Sequence, residues 1–350
     1  IPHIAKRALY ETSGHAEKFG DELIKVISHY DEFVMKPVNC PHHTQIYASR
    51  PRSYRDLPLR YIESTMQYRD EKPGEISGLT RVRAITCDDG HTFCTFSQIK
   101  TEVEILCKII EKFYTALGMY GKHWVSLSVR DSSNPEGYIG KVEDWDRAES
   151  MLEQMASDLG LGAKRVEGEA AIYGPKIDFM FEDSLGREWQ LATVQLDFNL
   201  PKRFGLVYTD KEGKEAVPVM IHRAILGSYE RFMAVLIEHY AGAFPLWLSP
   251  VQVHIIPVST EKHLDGARDL AQELQNAGIR VEVDGADETV GKKIRKAAQQ
   301  KAPYILVVGE KELAGEPLCI RKRGTEEQVK IDKDEWIVRI KKEITERIVF

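Results

Sequence analysis

Near residue 245 this chain changes rhythm, and the change dictates two different kinds of sheet. Beyond Pro250, strand-like runs at 251–257, 279–283 and 303–308 alternate with helical patterns at 260–277 and 288–301. Strands separated by a whole helix do not fold back as hairpins. They lie parallel, because a parallel neighbour needs a crossover of a dozen residues or more and a helix supplies it. A short hairpin near 318–331 and a closing helix at 334–348 complete a unit of ordinary domain size. Pro245 and Pro250 bracket the connector FPLWLSPVQV, so the expected division is 1–247 and 248–350.

The larger first part follows another pattern. Residues 97–119 carry Ile99, Val103, Leu106, Ile110, Phe113 and Leu117 at helical spacing, which predicts a core-facing helix. A strand at 123–129 and a second amphipathic helix over about 143–159 follow. From 171 to 200 the chain alternates apolar and polar residues on both sides of a turn at Ser184–Arg187, which contains Gly186. That is an antiparallel hairpin with Ile177, Phe179 and Phe181 on one face. Residues 223–240 read as an apolar helix with Gly227 early in it. The expected fold is therefore an α+β domain on an antiparallel sheet, followed by a small α/β domain.

Composition narrows the class. With 43% hydrophobic and 29% charged residues among 350, the chain has the make-up of a soluble globular enzyme with a large core. A net charge of -6 argues against a non-specific nucleic-acid coat protein but leaves room for a local basic face. Five irregularly spaced cysteines (Cys40, Cys87, Cys94, Cys107 and Cys319) point to a reducing cytoplasm without a disulfide framework. No apolar run is long enough to span a bilayer, so no membrane partner is expected. The start at Ile1-Pro2, without Met, reads as a fragment or a protein whose front end is not included.

Three residues far apart carry metal-binding chemistry: Cys40 in KPVNCPHH, His91 in CDDGHTFC and His222 in VMIHRAILGSYER. One thiol and two imidazoles make a zinc set of the open kind, with a fourth position free. Taken singly, each is more simply a core residue. A local set of Cys40, His42 and His43 competes, but ligands so close along an extended chain rarely converge on one ion. Asp89, two residues before His91, falls on the same side of an extended strand. The stretch YRDEKPGEISGLTRVR places Arg69, Glu71 and Arg81 around a Pro73-Gly74 turn with extended flanks. An isolated hairpin of that kind is most simply a solvated basic edge. Arg231 in AILGSYERF sits on an otherwise apolar helix, where a charge is costly unless paired.

Together these strings resemble the ATP-binding motifs of class II aminoacyl-tRNA synthetases, most closely those of the threonyl-tRNA synthetase family, and the resemblance extends over nearly the whole chain. It implies a ligase that makes threonyl-adenylate from ATP and threonine and passes threonine to tRNA(Thr). Magnesium would bridge the phosphates, and one zinc per chain on Cys40, His91 and His222 would select the amino acid. Arg69 would clamp the α-phosphate and carboxylate, a geometry that suits a bidentate guanidinium. Glu71 would meet the adenine amino group, Arg81 the γ-phosphate, and Arg231 the adenine face. Gln190 and Thr193 match further ATP-contacting positions.

Asp89, Tyr173, Gln195 and Ser228 match threonine-contacting positions, with Gly227 and Ser228 allowing close approach to backbone. Strand parity puts Gln190 opposite to Thr193 and Gln195, so the resemblance requires a bulge or twist there. His15 in ETSGHAEKF matches a histidine that helps the tRNA hydroxyl attack. The second domain resembles an anticodon-binding domain, with Glu312 and Arg321 at base-reading positions. Its basic residues Lys292, Lys293, Arg295, Lys296, Arg321, Lys322 and Arg323 suggest a phosphate-binding face.

Pro2 matches the end of the first family motif, so the helix that contributes most to a homodimer interface would precede this chain, as would an editing region. There are departures: Ile85 stands where the family has Phe, Cys87 where it has Gln, Ala286-Asp287 for an Arg-Asn pair, and Lys301 for an Arg. The alternatives are an unusual seryl enzyme with a catalytic zinc, and a synthetase-like RNA-binding or regulatory paralogue without ligation activity.

Overall fold

The computed structural model describes residues 1–325 and 327–349. The chain divides into two compact units, Ile1–Leu236 and Ile237–Phe350. In the first, β1 (Ile4–Lys6), β2 (Lys25–Ile27) and β3 (Glu32–Met35) form a small antiparallel sheet with β3 central. The main sheet has seven strands: β4 (Leu59–Tyr68), β5 (Ala84–Cys94), β6 (His123–Val129), β7 (Lys164–Glu167), β8 (Lys176–Glu182), β9 (Glu188–Asp197) and, after the short ribbon of β10 (Tyr208–Thr209) and β11 (Glu215–Ala216), β12 (Val219–Ala224). Their spatial order is β4-β5-β12-β9-β8-β6-β7. Every neighbouring pair is antiparallel except β6 and β7.

The helices of this unit are α1 (Arg7–Ser13), α2 (His15–Phe19), α3 (Cys40–Ala48), α4 (Ile99–Ala116), α5 (Val142–Asp158), α6 (Leu200–Arg203) and α7 (Tyr229–His239). Helices α4 and α5 lie against the sheet, α4 on β9 and β12, α5 on β6, β8 and β9. The helical spacing predicted for 97–119 is what buries Ile99, Val103, Leu106 and Ile110. Tyr114 of the same helix stacks on Phe181 at 4.0 Å between ring centres and donates to the Ile225 carbonyl at 2.9 Å. Ile177, Phe179 and Phe181 are all buried, as alternation requires.

The helix expected over 223–240 starts late, its first two residues belonging to a strand. Residues 219–224 form β12, and the helix starts only at Tyr229. All six residues of β12 are buried, because it is interior to the sheet and α4 and α6 pack against it. A strand covered on both faces reads as a continuous apolar run, which periodicity cannot distinguish from a buried helix. Gly227 makes the turn between them with φ +74°, and a Cβ there would sit 2.8 Å from the Leu191 carbonyl oxygen.

In the second unit, β13 (Val253–Pro257), β14 (Val281–Val283) and β15 (Tyr304–Val308) are parallel with β13 central. Strands β16 (Leu318–Lys322) and β17 (Gln328–Ile331) then continue the sheet antiparallel. Helices α8 (Thr260–Asn276) and α9 (Val290–Gln299) provide the crossovers, and α10 (Glu310–Leu313) and α11 (Lys333–Thr345) follow. Ser259, Thr289 and Asp332 cap α8, α9 and α11 by accepting from amides of the first turn. Leu246 of the Pro-bracketed connector is fully buried in this unit's core beside Val253, Leu274, Leu306 and Ile340. Among the described residues no helix is long and apolar enough to cross a membrane.

The hairpin between β8 and β9 is pinned by Asp183. Burial alone would raise its carboxyl, but bonds from the Trp189 indole, the Arg187 amide and side chain, and the Leu185 amide outweigh it and hold the group well below the ordinary carboxylate range. A depressed folded-state pKa gives stability that is present above the unfolded value and lost as pH falls. Asp183→Asn should therefore lower Tm at pH 7 and flatten the fall in stability between pH 4 and pH 2, as measured by thermal unfolding across that range.

Candidate active site

The loop 69–83 joins two long paired strands, β4 and β5, whose register runs from Leu59 opposite Phe93 to Tyr68 opposite Ala84. Strand β5 in turn sets His91 opposite His222 on β12, and β12 sets His222 opposite Gln195 on β9. Three distant strings thus meet at one level of three adjacent strands. Helix α3 adds Cys40, its first residue, so that Cys40, His91 and His222 present ligand atoms all within 4.8 Å of one another, and all three are buried. Around a tetrahedral ion with bonds of about 2.0–2.3 Å, ligand atoms lie roughly 3.5 Å apart, so this donor set fits one zinc-sized cation.

Neighbouring groups orient the donors. Asp197 lies 2.9 Å from His222 Nε2 and also accepts from the Asn199 and Leu200 amides. A carboxylate behind a histidine fixes its tautomer and raises its basicity. Tyr173 stacks on the other side of His222, with 4.4 Å between ring centres, and donates to Gln195 Oε1 at 2.5 Å. Burial, then the Asp89 and Asp197 charges, push the Cys40 thiol well up; burial and His222 push His91 well down. A divalent cation reverses that penalty, since it stabilises thiolate and neutral imidazole together.

The competing local histidines are placed otherwise. The segment is not extended, as read from sequence, but is the first turn of α3. His42 Nε2 bonds the Tyr10 hydroxyl at 2.9 Å, while His43 Nδ1 meets His91 Nδ1 at 2.6 Å and so stands behind a ligand. His15, at the start of α2, lies 3.8 Å from Cys40 Sγ through Nε2 and bonds Ser13 through Nδ1 at 2.8 Å. Burial, then His222, Arg69 and Arg203, press its pKa down to about 3, which keeps the ring neutral.

The three arginines form a second cluster. Burial, then the charges of Arg81 and Arg69, lower the pKa of Arg231, so the three guanidiniums feel one another. Arg231 Nε donates to the Thr80 carbonyl at 3.0 Å, and its amide bonds Ser228 Oγ. Arg81 holds Glu71 at 2.8 Å through Nε and approaches Glu75 at 3.6 Å. Arg69 lies over the Phe19 ring at 5.0 Å, and its buried Nε has no hydrogen-bond partner among the described residues. Like charges gathered with an unsatisfied buried donor make a site for a polyanion.

The bulge demanded by parity is present. Phe179 pairs with Ala192 but Met180 with Gln190, so Leu191 is the extra residue. The shift brings Gln190 and Thr193 onto one acceptor: both donate to Asp178 Oδ1, at 2.8 and 2.6 Å. Asp178 also accepts from Ser128 and pairs with Lys176. Sequence reading missed this buried acid, whose signal was an Asp inside the apolar run KIDFMF. It also missed the buried pair of Asp88 and Arg223, 2.6 Å apart. Asp88 further accepts from the Ile225 and Leu226 amides, which fixes the turn into α7. Gly90 is required here: a Cβ would stand 2.5 Å from Arg223 Nε. Cys87, where an amide was expected, forms a β-bridge with Ser228.

Residues 24–240 match the tRNA synthetase class II core domain of the G, H, P, S and T enzymes, and residues 252–343 match an anticodon binding domain. The chain belongs to the class II aminoacyl-tRNA synthetases. A threonine–tRNA ligase of Cytophaga hutchinsonii is 45% identical over 99% of this chain and 54% of its own length. One of Thermus thermophilus is 48% identical over 92% of this chain and 49% of its own. The chain thus spans about half the length of these curated relatives. A structure described as the RNA binding domain of threonyl-tRNA synthetase from Cryptosporidium parvum superposes with a TM-score of 0.90 at 36% identity, covering 98% of this chain and 84% of that one. The fold is accordingly the class II synthetase core with its antiparallel sheet, followed by an anticodon-binding domain.

In that second domain Glu312 caps α10, accepting from the Gly309 amide at 2.9 Å, and Arg321 lies on β16 opposite Gln328. The basic face expected from sequence is thinner than its residue count. Lys293 is buried, donating to Thr260 and the Asp284 carbonyl. Arg323 is spent on the carbonyls of Lys301, Ala243 and Phe244, and Lys292 and Lys296 both pair with Glu288. Helical and strand periodicity placed these charges without revealing that two of them face inward.

Proposed function

We propose that this chain is the catalytic and anticodon-binding part of a threonine–tRNA ligase, the first function residing in residues 1–247 and the second in 248–350. The observation that carries this reading is the convergence of Cys40, His91 and His222 beside Asp89. Those three side chains would hold zinc, which when bound supplies an open Lewis-acid position for the amino group and hydroxyl of threonine. Asp89, Tyr173, Gln195 and Ser228 would surround the amino acid. Valine, nearly isosteric, would leave Asp89 unpaired and is strongly rejected, whereas serine lacks only a methyl, worth about 1–3 kcal/mol.

For activation, a threonine carboxylate oxygen attacks the α-phosphorus of ATP and pyrophosphate leaves. Arg69 meets the charge that builds there, Arg81 holds the γ-phosphate, and Arg231 lies over the adenine, whose amino group Glu71 accepts from. Gln190 and Thr193, anchored on Asp178, would line the nucleotide, and magnesium carried in with ATP would neutralise charge on its phosphates. For transfer, the terminal ribose hydroxyl of tRNA(Thr) attacks the carbonyl and AMP leaves. His15, beside Cys40, would take the hydroxyl proton. Glu312 and Arg321 would read anticodon bases. A cytoplasmic homodimer is the expected assembly.

The purified protein should carry about one zinc per chain and catalyse ATP–pyrophosphate exchange with threonine in preference to other amino acids. Cys40→Ala should lose metal and exchange together; metal analysis of an active preparation that finds none would refute the zinc assignment. Arg69→Ala should slow adenylate formation by about 100-fold or more with little change in threonine KM, because the charge it meets exists only in the transition state. Rapid-quench kinetics showing weakened binding and an intact chemical step would remove Arg69 from that role. Arg321→Ala should lower charging of tRNA(Thr) roughly tenfold and leave exchange unchanged; equal charging by both proteins would end the base-reading assignment.

A further inference from the structure

Asn39 occupies the N-cap of α3 but makes no side-chain cap bond. Its backbone is already helical, φ -97° and ψ -23°, so the side chain is not turned to a first-turn amide as at an extended N-cap. Here the side chain is fully buried, its Nδ2 donates to Asp89 Oδ2 at 2.9 Å, and its Oδ1 has no partner among the described residues. A buried acceptor is thus orphaned, which is destabilising. What the arrangement gains is a fixed Asp89. From the facing strand, Gln67 Nε2 reaches the same oxygen at 3.3 Å, and Gln67 is itself buried. Two amides thus converge on Oδ2, while Oδ1 remains on the side of the metal-ligand set, 3.7 Å from His91 Nε2.

We propose that Asn39 and Gln67 are positioning residues for amino-acid selection: together they clamp Asp89 so that its Oδ1 is held ready for a substrate hydroxyl. The inference deepens the threonine-ligase reading and rests on it. Neither amide touches substrate; both act through Asp89. A carboxylate free to rotate would meet a hydroxyl in only some of its orientations, so loss of the clamp raises the KM of the hydroxyl substrate and leaves an isosteric hydrocarbon side chain unaffected.

Asn39→Ser separates this role from a structural one, since serine keeps a small polar side chain at the head of α3 but cannot donate to Asp89. Gln67→Leu removes the second donor and serves as the test should the first variant fail to fold. Exchange kinetics with threonine and valine, zinc content, thermal midpoint and its shift on adding threonine would be measured for wild type and both variants. The expected result for Asn39→Ser is an unchanged or higher midpoint, full zinc, a smaller threonine-induced shift, and a threonine-to-valine ratio of kcat/KM at least tenfold lower through threonine KM. Gln67→Leu should show the same change to a smaller degree. A wild-type protein without threonine preference would refute the ligase reading itself. If wild type prefers threonine but the folded variants keep its ratio, or lose it only together with zinc, the clamp is overturned.

Discussion

The site depends first on the pairing of β12 between β5 and β9. That register puts His91, His222 and Gln195 side by side, with the Asp197 carboxylate behind His222. Because strand side chains alternate faces, a slip by one residue would send His222 to the opposite face and bring Arg223 into its place. The register is held by more than the backbone ladder. Arg223, the next residue, points the other way and pairs with buried Asp88, whose second oxygen takes two amides of the following turn. A buried pair of this kind adds little net stability, but breaking it costs about 3–5 kcal/mol, so it penalises any alternative register.

The same turn links the metal-ligand cluster to the arginine cluster. Gly227 and the Asp88 contacts set where α7 begins, and Ser228 then bonds the Arg231 amide and Glu230. Glu230 in turn accepts the Thr86 amide on β5. The Cys40, His91 and His222 cluster and the Arg231 end of the arginine cluster therefore share one frame of strands, while Arg69 and Arg81 come from the loop between β4 and β5. Groups held in this way need not reorganise when charge develops beside them.

Several polar groups in this frame are costly by the ordinary rules of folding. Among the described residues Asn39 Oδ1 and Arg69 Nε lack partners, and three guanidiniums lie within one another's field. Sites of function are where local rules fail while the surrounding structure compensates. Here the compensation is the apolar packing under the sheet, from Phe179 and Phe181 to Tyr114 and Ile110. Two carboxylates, Asp178 and Asp197, each gather several donors so that the residues facing the pocket have one orientation.

By itself the sequence determined the kind of sheet in each unit, because period and connection length leave little choice: a short turn at Ser184–Arg187 forces a hairpin, and whole helices between strands force crossovers. It also singled out Cys40, His91, His222 and the three arginines as candidates through the strings around them, and parity together with the family resemblance called for a bulge or twist between Gln190 and Thr193, which the structure locates at Leu191. Tertiary structure decided the rest. Arg223 and Ala224, read as the start of a helix, became the end of a strand because β12 pairs with β5 and β9, a circumstance no local period records. Asp178, Asp88 and Asp197 acquired their roles from partners on other strands, and Lys293 and Arg323 left the basic face because carbonyls and a hydroxyl waited inside. Periodicity says which face a side chain occupies; what it meets there depends on elements brought alongside from elsewhere in the chain, and only folding brings them.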